Sequence, residues 1–524
     1  MKKRFVGILA TTMALSFAAC GGGGGLGGGG GLGGGGKQSL EIGVFDGGYG
    51  VEWVEKVAEA YEIANEGTSI KIKTTVDQAT DLGKIEAGLC SYDVFLTTSA
   101  SVNNYGQKGY FLDLSEVYAA KSEGEQLTVL QKLGEETAKS FKVHNGKYYS
   151  LPFADGVTGL AYNKTVLDQV FAGETYTLPK TTDELKALAD RIKAKGQYSF
   201  VYTFDNEAEY TWWMTLTFLS QMMGYDAYTN MLKGQYYDSE TSAYVQDLTG
   251  ETIYNSPERA KALEVTEALM SQSSGYVAEA TSQFEDFAET QAYFLGLGYG
   301  SDKSKACFMV NGDWLYNETE YLQSATNPQD LRMMKFPIIS DITDTFEGAD
   351  KQMTDATLSS IIAAVDNGAT SSDLCSAATF AKIKEARNMV YSLQTQQIAT
   401  VPANCKNFDL AKDFLLFMTS DAAAQIYCNE LEGSTTPYNK TVVSTTANEY
   451  IKSRNEMIKS ADTIYLPSYY SIDKFVYKEY PSFPFYSQKL FEGGALNYYK
   501  SASYKTNYLS GFKNALIVAG LIQA

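Results

Sequence analysis

Residues 40–76 read LEIGVFDGGYGVEWVEKVAEAYEIANEGTSIKIKTTV, and this stretch indicates the fold of the chain. LEIGVF at 40–45 is typical of a buried strand, and the glycine-rich DGGYG after it is typical of a turn. Apolar residues recur with i, i+3, i+4 spacing across 51–65, which predicts an amphipathic helix, and SIKIKTTV at 69–76 alternates like a strand. This order implies parallel strands joined by a crossover helix, so the sequence predicts an α/β fold.

The same alternation of strands and helices continues along the chain. We predict strands at 92–96, 308–315 and 331–340 from their apolar, β-rich composition. A helix at 179–196 opens with proline and a TTDE signature and stops at glycine, and 408–431 is also typical of a helix. Because 524 residues exceed what one compact domain usually holds, we expect two α/β lobes.

Composition excludes several classes of function. The formal net charge is −19, so clustered Lys and Arg for binding nucleic acid are not expected. Five widely spaced cysteines follow Cys20, with neither a disulfide framework nor a CxxC pair. His144 is the one histidine and lies beside an Asn-Gly turn signal, which argues against histidine-based catalysis or a zinc site. The sequence therefore predicts neither a metal site nor a cofactor.

The N-terminus has the pattern of an export signal. Residues 1–19 carry three basic residues and then a short apolar run that is too short for a permanent membrane helix. The ending before Cys20 resembles the lipobox of bacterial lipoproteins, although Phe17 stands where that family usually has leucine. The resemblance implies that Cys20 is lipidated; an ordinary secreted protein with an unmodified cysteine is the alternative. We assign 1–19 to a signal peptide and 20–39, with fourteen glycines, to a flexible tether of roughly 20–25 Å.

A series of motifs resembles the extracellular solute-binding proteins of ABC importers, in the carbohydrate-binding group to which maltose-binding protein belongs. No single motif is decisive, but their order and spacing carry the resemblance over nearly the whole mature chain. The motifs are GVFDGGYGVEWVEKVAEAYE, YDVFLTTSASVNNYGQKGYFLDLSEVY, NGKYYSLPFADGVTGLAYNKTVL, PKTTDELKALADRIKAKG, ACFMVNGDWLYNE, LRMMKFPIIS and EGSTTPYN. The chain is longer than usual for this family, and the extra length falls at about 220–300 and beyond 440.

The resemblance implies a two-lobed periplasmic-binding-protein-like fold of type II, with lobes that close on a ligand about crossing strands. By motif, the chain crosses between lobes near 151–156, Phe336-Pro337 and 418–421. The predicted domains follow from these crossings, namely lobe one from 40–152 with 338–418, and lobe two from 153–337 with 419–524.

The ligand site is expected in the loops that follow the strands, where open α/β sheets bind ligands. A sugar requires aromatic platforms for its C–H faces and polar groups for its hydroxyls. The resemblance places Trp314 at a sugar-stacking position, unless it is a core tryptophan. Asp313 either accepts hydrogen bonds from the sugar or caps the next helix. The resemblance also implies an aromatic stack in EAEYTWWMTLTF, where we choose Tyr210 and Trp212. Trp212 and Trp213 are adjacent on a predicted helix and cannot face the same way, so at least one of them is expected in the core.

Further polar candidates come from other loops. Asp46 and Tyr49 lie in the glycine turn after the first strand, and Ser99 follows the strand at 92–96. Asp155 lies at the first crossing. Tyr470, or its neighbour Tyr469, falls where the resemblance implies a last aromatic residue. Each of these side chains either contacts the sugar or has only a structural role.

We therefore predict a monomeric lipoprotein on the outer face of a bacterial cell membrane. It binds a carbohydrate, expected to be an oligosaccharide, and delivers it to the permease subunits of an ABC transporter without catalysis. A surface glycoside hydrolase is the alternative from another class, since 62 Asp and Glu residues supply many carboxylate pairs. A carrier of ferric iron, through paired tyrosines, or of peptides is the alternative within the binding class.

Overall fold

The computed structural model describes residues 38–98, 102–143, 146–204, 209–284, 286–323, 328–467, 487–518 and 520–523. Three of the predicted functional residues, Cys20, Ser99 and Tyr470, lie outside these ranges, as does His144. The described residues from Gln38 onward form one compact unit, which starts with the first strand.

The described strands are short and are spread along the whole sequence. They are β1 Gln38–Phe45, β2 Thr68–Thr75, β3 Val94–Thr97, β4 Leu151–Pro152, β5 Thr158–Asn163, β6 Tyr198–Phe200, β7 Gln235–Asp238, β8 Ala243–Gln246, β9 Ala306–Gly312, β10 Leu331–Met334, β11 Met389–Tyr391, β12 Ile398–Thr400 and β13 Ile464–Leu466.

The α-helices occupy the segments between and after the strands. They are α1 Glu52–Ala64, α2 Gln78–Glu86, α3 Val102–Gln107, α4 Ser115–Ala119, α5 Val129–Leu133, α6 Glu135–Lys139, α7 Lys164–Val170, α8 Thr182–Ala194, α9 Glu209–Met223, α10 Tyr225–Leu232, α11 Glu251–Tyr254, α12 Pro257–Met270, α13 Phe287–Phe294, α14 Leu315–Thr319, α15 Asp355–Asp366, α16 Ala377–Asn388, α17 Phe408–Met418, α18 Asp421–Glu430, α19 Glu449–Ile458, α20 Ser487–Phe491, α21 Ala495–Tyr499 and α22 Ala502–Val518. Six short 3₁₀ turns are described besides them: Gln272–Ser274, Glu279–Gln283, Glu320–Leu322, Ser340–Thr345, Gly348–Gln352 and Gln394–Gln396.

The opening stretch forms the predicted β-α-β unit of a five-stranded sheet with the order β2-β1-β3-β12-β4. β1 pairs in parallel with both β2 and β3, as a crossover helix requires. α1 contacts β2, α17 and α18 and buries one stripe of side chains, consisting of Trp53, Val54, Val57, Ala58 and Tyr61. The C-terminal ends of β1 and β3 therefore lie at one edge of the sheet.

A second, four-stranded sheet has the order β10-β5-β9-β6. β9 lies at its centre, antiparallel to β5 and parallel to β6, and all seven of its residues are buried. α19 packs along the edge strand β10. The two sheets are the centres of two lobes, which we call the first lobe (β2-β1-β3-β12-β4) and the second lobe (β10-β5-β9-β6).

The chain passes from the first lobe to the second between β4 and β5, at 153–157. The motifs predicted a return at Phe336-Pro337, with 338–418 in lobe one, but residues 338–391 contact the second lobe instead. Ile338 bridges Thr181 at the start of α8, and α15 and α16 contact α8 and α9 of the second lobe. The chain returns only between β11 and β12. Thr181 and Glu184 at the start of α8 hydrogen-bond to Asp355 and Ser359 of this segment. No local sequence pattern indicates these pairings.

The later passage also differs from the predicted position at 418–421. α17 and α18 both contact α1 of the first lobe, and the chain reaches β10 only with α19, so it crosses at 431–448. The expected single helix over 408–431 is two helices, because the Ser420 side chain accepts a hydrogen bond from the Ala423 amide and starts α18. Likewise, the strand expected at 331–340 ends at Met334, and the strand expected at 308–315 ends at Gly312.

The two tracts of extra length pack against each other. α12 contacts α20 and α21, and α11 contacts α22. Arg259 of α12 is fully buried there, where its Nε donates to the Tyr499 hydroxyl at 3.2 Å and its guanidinium lies 5.2 Å from the Tyr508 ring centroid. Tyr254 and Tyr499 also exchange hydroxyl-to-carbonyl hydrogen bonds. None of the helices in the described ranges is long and apolar enough to cross a membrane.

Gly159 provides a test of the packing in the second sheet. A Cβ there would lie 2.6 Å from the Met334 carbonyl oxygen of β10, and backbone cannot move aside as a flexible side chain can. We expect Gly159→Val to lower the free energy of unfolding by about 1–3 kcal/mol, measured by urea denaturation. Gly83→Ala is the control, since nothing lies within 4 Å of that Cβ, and it should leave stability equal or higher. Equal stability of Gly159→Val and the wild type would contradict this packing.

Candidate functional site

The two lobes meet where the turn after β1 contacts the segment after β9. The Tyr49 hydroxyl donates to Asp313 Oδ1 at 2.5 Å. The Gly48 amide donates to Glu318 Oε1 at 3.2 Å, and Asn317 Nδ2 donates to the Gly48 carbonyl at 2.6 Å. Both the amide and the carbonyl of Gly48 in the first lobe are therefore hydrogen-bonded to side chains of α14 in the second lobe. Gly48 adopts φ +59°, a conformation that favours glycine.

Aromatic rings surround Trp314 at this meeting point. Its ring makes edge contacts with Tyr49, Tyr210 and Trp213 at centroid distances of 6.0, 6.2 and 5.9 Å. A Cβ on Gly312 would lie 2.3 Å from the same ring, so glycine is required beside it. Trp314 is only 6% exposed. The family resemblance proposed Trp314 and Tyr210 for one site, and in the structure their rings contact each other.

Helical geometry explains why Trp213 joins this cluster. Tyr210 and Trp213 are three residues apart on α9, so they share a face, and their rings stack at 4.3 Å. Tyr210 also stacks on Phe287 at 5.2 Å. Trp212, the residue chosen from the sequence, is half-buried and packs against the hydrophobic core. The spacing of Tyr210 and Trp213 was the signal that the sequence analysis missed.

A buried network of charges lies beside the aromatic cluster. Arg454 of α19 pairs with Asp313, with Nη2 2.9 Å from Oδ2, and its Nη2 lies 3.7 Å from Asp155. Asp155 is fully buried and also accepts from Gln394 Nε2 at 2.7 Å and from Lys440 Nζ at 3.0 Å. Two carboxylates are thus matched by two cations. The partners of the two carboxylates come from three parts of the chain: the turn after β1, the segment between β11 and β12, and residues 435–454.

Asp313 does not cap α14, the structural alternative that its position suggested. The N-cap residue of α14 is Trp314, and the Asp313 carboxylate binds Tyr49 and Arg454 instead. Burial raises the pKa of Asp313, while Arg454 and the Tyr49 hydroxyl oppose that shift. Burial disfavours the charged guanidinium of Arg454, but Asp313 and Asp155 outweigh it and raise its pKa above the usual value.

The other residues predicted for the site, Asp46, Tyr49 and Asp155, differ in their exposure to solvent. Asp46 is exposed at the end of β1, where its amide donates to the Thr75 carbonyl at 2.8 Å. Tyr49 is buried in the contact with Asp313, and Asp155 lies in the charged network. A cavity of about 130 Å³ adjoins Tyr49 and Trp314, which is smaller than the roughly 300–1,000 Å³ typical of ligand pockets.

Four residues near the site were not predicted from the sequence, namely Arg454, Lys440, Gln394 and Tyr427. Arg454 lies on the buried face of α19 with Tyr450, Ile451 and Met457, and an arginine on an otherwise apolar helical face was an available signal. Tyr427 contacts the rings of Tyr49 and Trp53, and its buried hydroxyl has no hydrogen-bond partner in the described ranges. Nothing in the local sequence marked Gln394, because its partner Asp155 lies 239 residues away.

The carboxyl group of Glu318 at this site has a pKa near neutrality. Burial raises the pKa of Glu318 to about 7, against hydrogen bonds from Gln291 and the Gly48 amide. Both of its oxygens are occupied by these donors. In the described part of the chain, no group of three or more His, Cys, Asp or Glu side chains is arranged to hold a metal ion.

Glu318 should give stability a measurable pH dependence. Its pKa is about 7 in the folded protein against the usual 4.5, so the folded state binds more protons between those values. Stability should therefore fall as pH rises from about 4.5 to 7, by about 3 kcal/mol, and then level off. Glu318→Gln stays uncharged and should lack this component, so the wild-type minus variant difference in unfolding free energy should decline across that window. Parallel curves would contradict the prediction, and Glu320→Gln, at an exposed position nearby, is the control.

Comparisons with known proteins agree with this architecture. Solved structures that superpose well include a chitin oligosaccharide binding protein, with a TM-score of 0.56 and 16% identity, covering 90% of this chain and 98% of that one. RafE, solved in complex with raffinose, gives a TM-score of 0.55 at 15% identity and covers 91% and 99%. Identities this low show the fold alone, and they confirm the predicted two-lobed α/β fold.

Sequence comparison identifies the family. The diacetylchitobiose binding protein NgcE of Streptomyces coelicolor is 28% identical over 168 residues. That match covers 31% of this chain and 34% of the relative, so the chain matches about a third of that protein's length. The model of the family described as bacterial extracellular solute-binding protein matches residues 47–425, well over half of the chain. The protein therefore belongs to the family of bacterial extracellular solute-binding proteins.

Proposed function

We propose that the protein is a receptor that binds a carbohydrate between its two lobes and delivers it to an ABC permease. The observation that carries this proposal is the ring of Trp314, which lies where the lobes meet and is surrounded by Tyr49, Tyr210 and Trp213. Aromatic faces suit the C–H faces of a sugar, and adjacent carboxylates and amides suit its hydroxyls. The relatives support the ligand class, since their names specify diacetylchitobiose, chitin oligosaccharide and raffinose.

Ligand entry requires the lobes to separate at this site. A cavity of about 130 Å³ beside Trp314 is too small for a disaccharide, so the sugar has to replace contacts that the lobes make with each other. The replaceable contacts are the Tyr49–Trp314 edge contact and the hydrogen bonds to Gly48. A sugar ring and its hydroxyls offer the same two kinds of interaction. Binding then favours the closed arrangement, which the permease recognises.

The chemistry of the site favours binding over hydrolysis. A glycoside hydrolase needs one carboxylic acid and one carboxylate that are available to the substrate. Asp155 and Asp313 are buried and paired with Lys440 and Arg454, and both oxygens of Glu318 accept hydrogen bonds. We infer that these carboxyl groups set the shape of the site.

Calorimetric titration of residues 38–524 with diacetylchitobiose, longer chitin oligosaccharides and raffinose tests this proposal. We expect saturable binding of at least one of them, without release of smaller sugars on prolonged incubation. Trp314→Ala should weaken that binding by at least about tenfold, because a stacking ring is lost. Tyr321→Ala, at a position 70% exposed on the same lobe, is the control and should bind normally.

Stability has to be measured alongside affinity in this experiment. Trp314 is buried, so its truncation to alanine also lowers the melting temperature. Trp314→Phe retains a ring with a smaller loss of packing and should give an intermediate affinity. Unchanged sugar affinity in a folded Trp314→Ala variant would assign the residue to the core. Cleavage products from the oligosaccharide would favour the hydrolase.

We further propose that Cys20 carries a lipid and that the glycine tract links it to the folded lobes. The basic and apolar pattern of 1–19 and the position of Cys20 support this anchor. In a bacterial host, Cys20→Ser should move the protein from the membrane fraction to the medium or periplasm, as measured by fractionation and immunoblotting. Sugar affinity in solution should stay unchanged, because the substitution lies outside the lobes. Retention in the membrane fraction would contradict lipidation at Cys20.

A further inference from the structure

A groove of about 910 Å³ lies on the second lobe, apart from the Trp314 cluster. Its walls come from β10, the end of α15, α16 and α19. The motif LRMMKFPIIS contributes the floor through residues 332–335, which the ligand site described above does not use. Six cationic side chains line the groove, although the chain as a whole has a net charge of −19.

Five of these six cations have a carboxylate partner within 4 Å. The pairs are Arg332 with Asp330 and Glu449, Lys384 with Asp462, Arg387 with Asp366, Lys452 with Glu449, and Lys459 with Glu456. Lys335 is the exception in the part of the chain that the structure describes. Its half-buried ammonium group donates to the Arg387 carbonyl at 3.1 Å and has no carboxylate within ion-pair distance among the described residues.

Arg387 contributes a hydrogen-bond donor without a partner to the same groove. Its Nε and Nη2 donate to the two oxygens of Asp366 at 2.7 and 3.0 Å. Its Nη1 is buried and has no hydrogen-bond partner within the described ranges. A buried donor without a partner is costly, and a charged one more so.

We propose that this groove binds a small oxyanion, of the phosphate or carboxylate class, between the ammonium group of Lys335 and Nη1 of Arg387. An oxyanion presents several acceptor oxygens, so it can satisfy both donors at once through charge-assisted hydrogen bonds. Asp366 cannot do so, because its two oxygens are already bound to Nε and Nη2 of Arg387. Burial, followed by repulsion from Arg387, lowers the pKa of Lys335 to about 8, which is the direction expected for an ammonium group without a counter-ion.

This site is separate from the proposed sugar site in position and in chemistry. Its walls belong to the second lobe, whereas the Trp314 cluster joins both lobes. The proposal does not depend on the identity of the transported solute. The anion can be free in solution or part of a lipid headgroup, and the two sources share the same oxyanion chemistry.

Isothermal titration of residues 38–524 with sodium phosphate tests the proposal, with sodium chloride at equal ionic strength as the reference. We expect saturable phosphate binding that Lys335→Met weakens at least about tenfold, the size of one charge-assisted hydrogen bond. Lys335→Met removes a half-buried charge without a carboxylate partner, so it should fold normally. Lys459→Met is the matched control, because Lys459 lines the same groove but is exposed and paired with Glu456.

Sedimentation with phosphatidylglycerol vesicles distinguishes the two sources. Binding of free phosphate without retention on vesicles would assign the site to a soluble anion, and retention that Lys335→Met abolishes would assign it to a headgroup. Either result supports the oxyanion site. Absence of both kinds of binding in the wild type, equal binding by Lys335→Met, or an equal loss in Lys459→Met would overturn it.

Discussion

The ion pairs of Arg454 with Asp313 and Asp155 are the interaction on which the site depends. They connect α19, the end of the central strand β9 and the first segment that crosses between the lobes. Asp313 also accepts a hydrogen bond from the Tyr49 hydroxyl, which links the network to the first lobe. Buried ion pairs contribute little net stability, because desolvation offsets their attraction. Loss of one partner is nevertheless strongly destabilising, because it leaves a buried charge unpaired. The network therefore fixes which groups meet at the lobe junction more than it stabilises the fold.

Contacts between the lobes are of a different kind from those within each lobe. Within the second lobe, β9 is wholly buried and packed on both sides by strands. Across the junction, the described contacts near Trp314 consist of edge-on rings and a few hydrogen bonds, two of them to the backbone of Gly48. Each such hydrogen bond contributes only about 1 kcal/mol net, because water replaces it when the lobes part. An interface of this kind separates at low cost, while each lobe keeps its structure.

Sequence patterns predicted the parts of the structure that local interactions determine. The β-α-β unit at 40–76 followed from periodicity, whereas the choice of Trp314 and Tyr210 as candidates for one site came from the family resemblance. The assignment of 338–391 failed, because the partners of Ile338 and Asp355 at Thr181 lie more than 150 residues away. The same holds for Arg454, which meets Asp313 across 141 residues. No local pattern encodes such a pairing, although a lone arginine on an apolar helical face indicates that a buried partner must exist.

The charged network at the lobe junction and the groove on the second lobe differ in how completely their charges are matched, and this difference bears on what each can bind. At the lobe junction, two carboxylates face two cations, so a neutral polar ligand can enter without adding an unpaired charge. In the groove, the ammonium group of Lys335 has no carboxylate within ion-pair distance among the described residues, and Nη1 of Arg387 has no hydrogen-bond partner there. A neutral sugar would leave that imbalance in place, whereas an oxyanion would remove it. Charge matching therefore distinguishes the lobe junction, which suits a neutral carbohydrate, from the groove of the second lobe, which suits an anion.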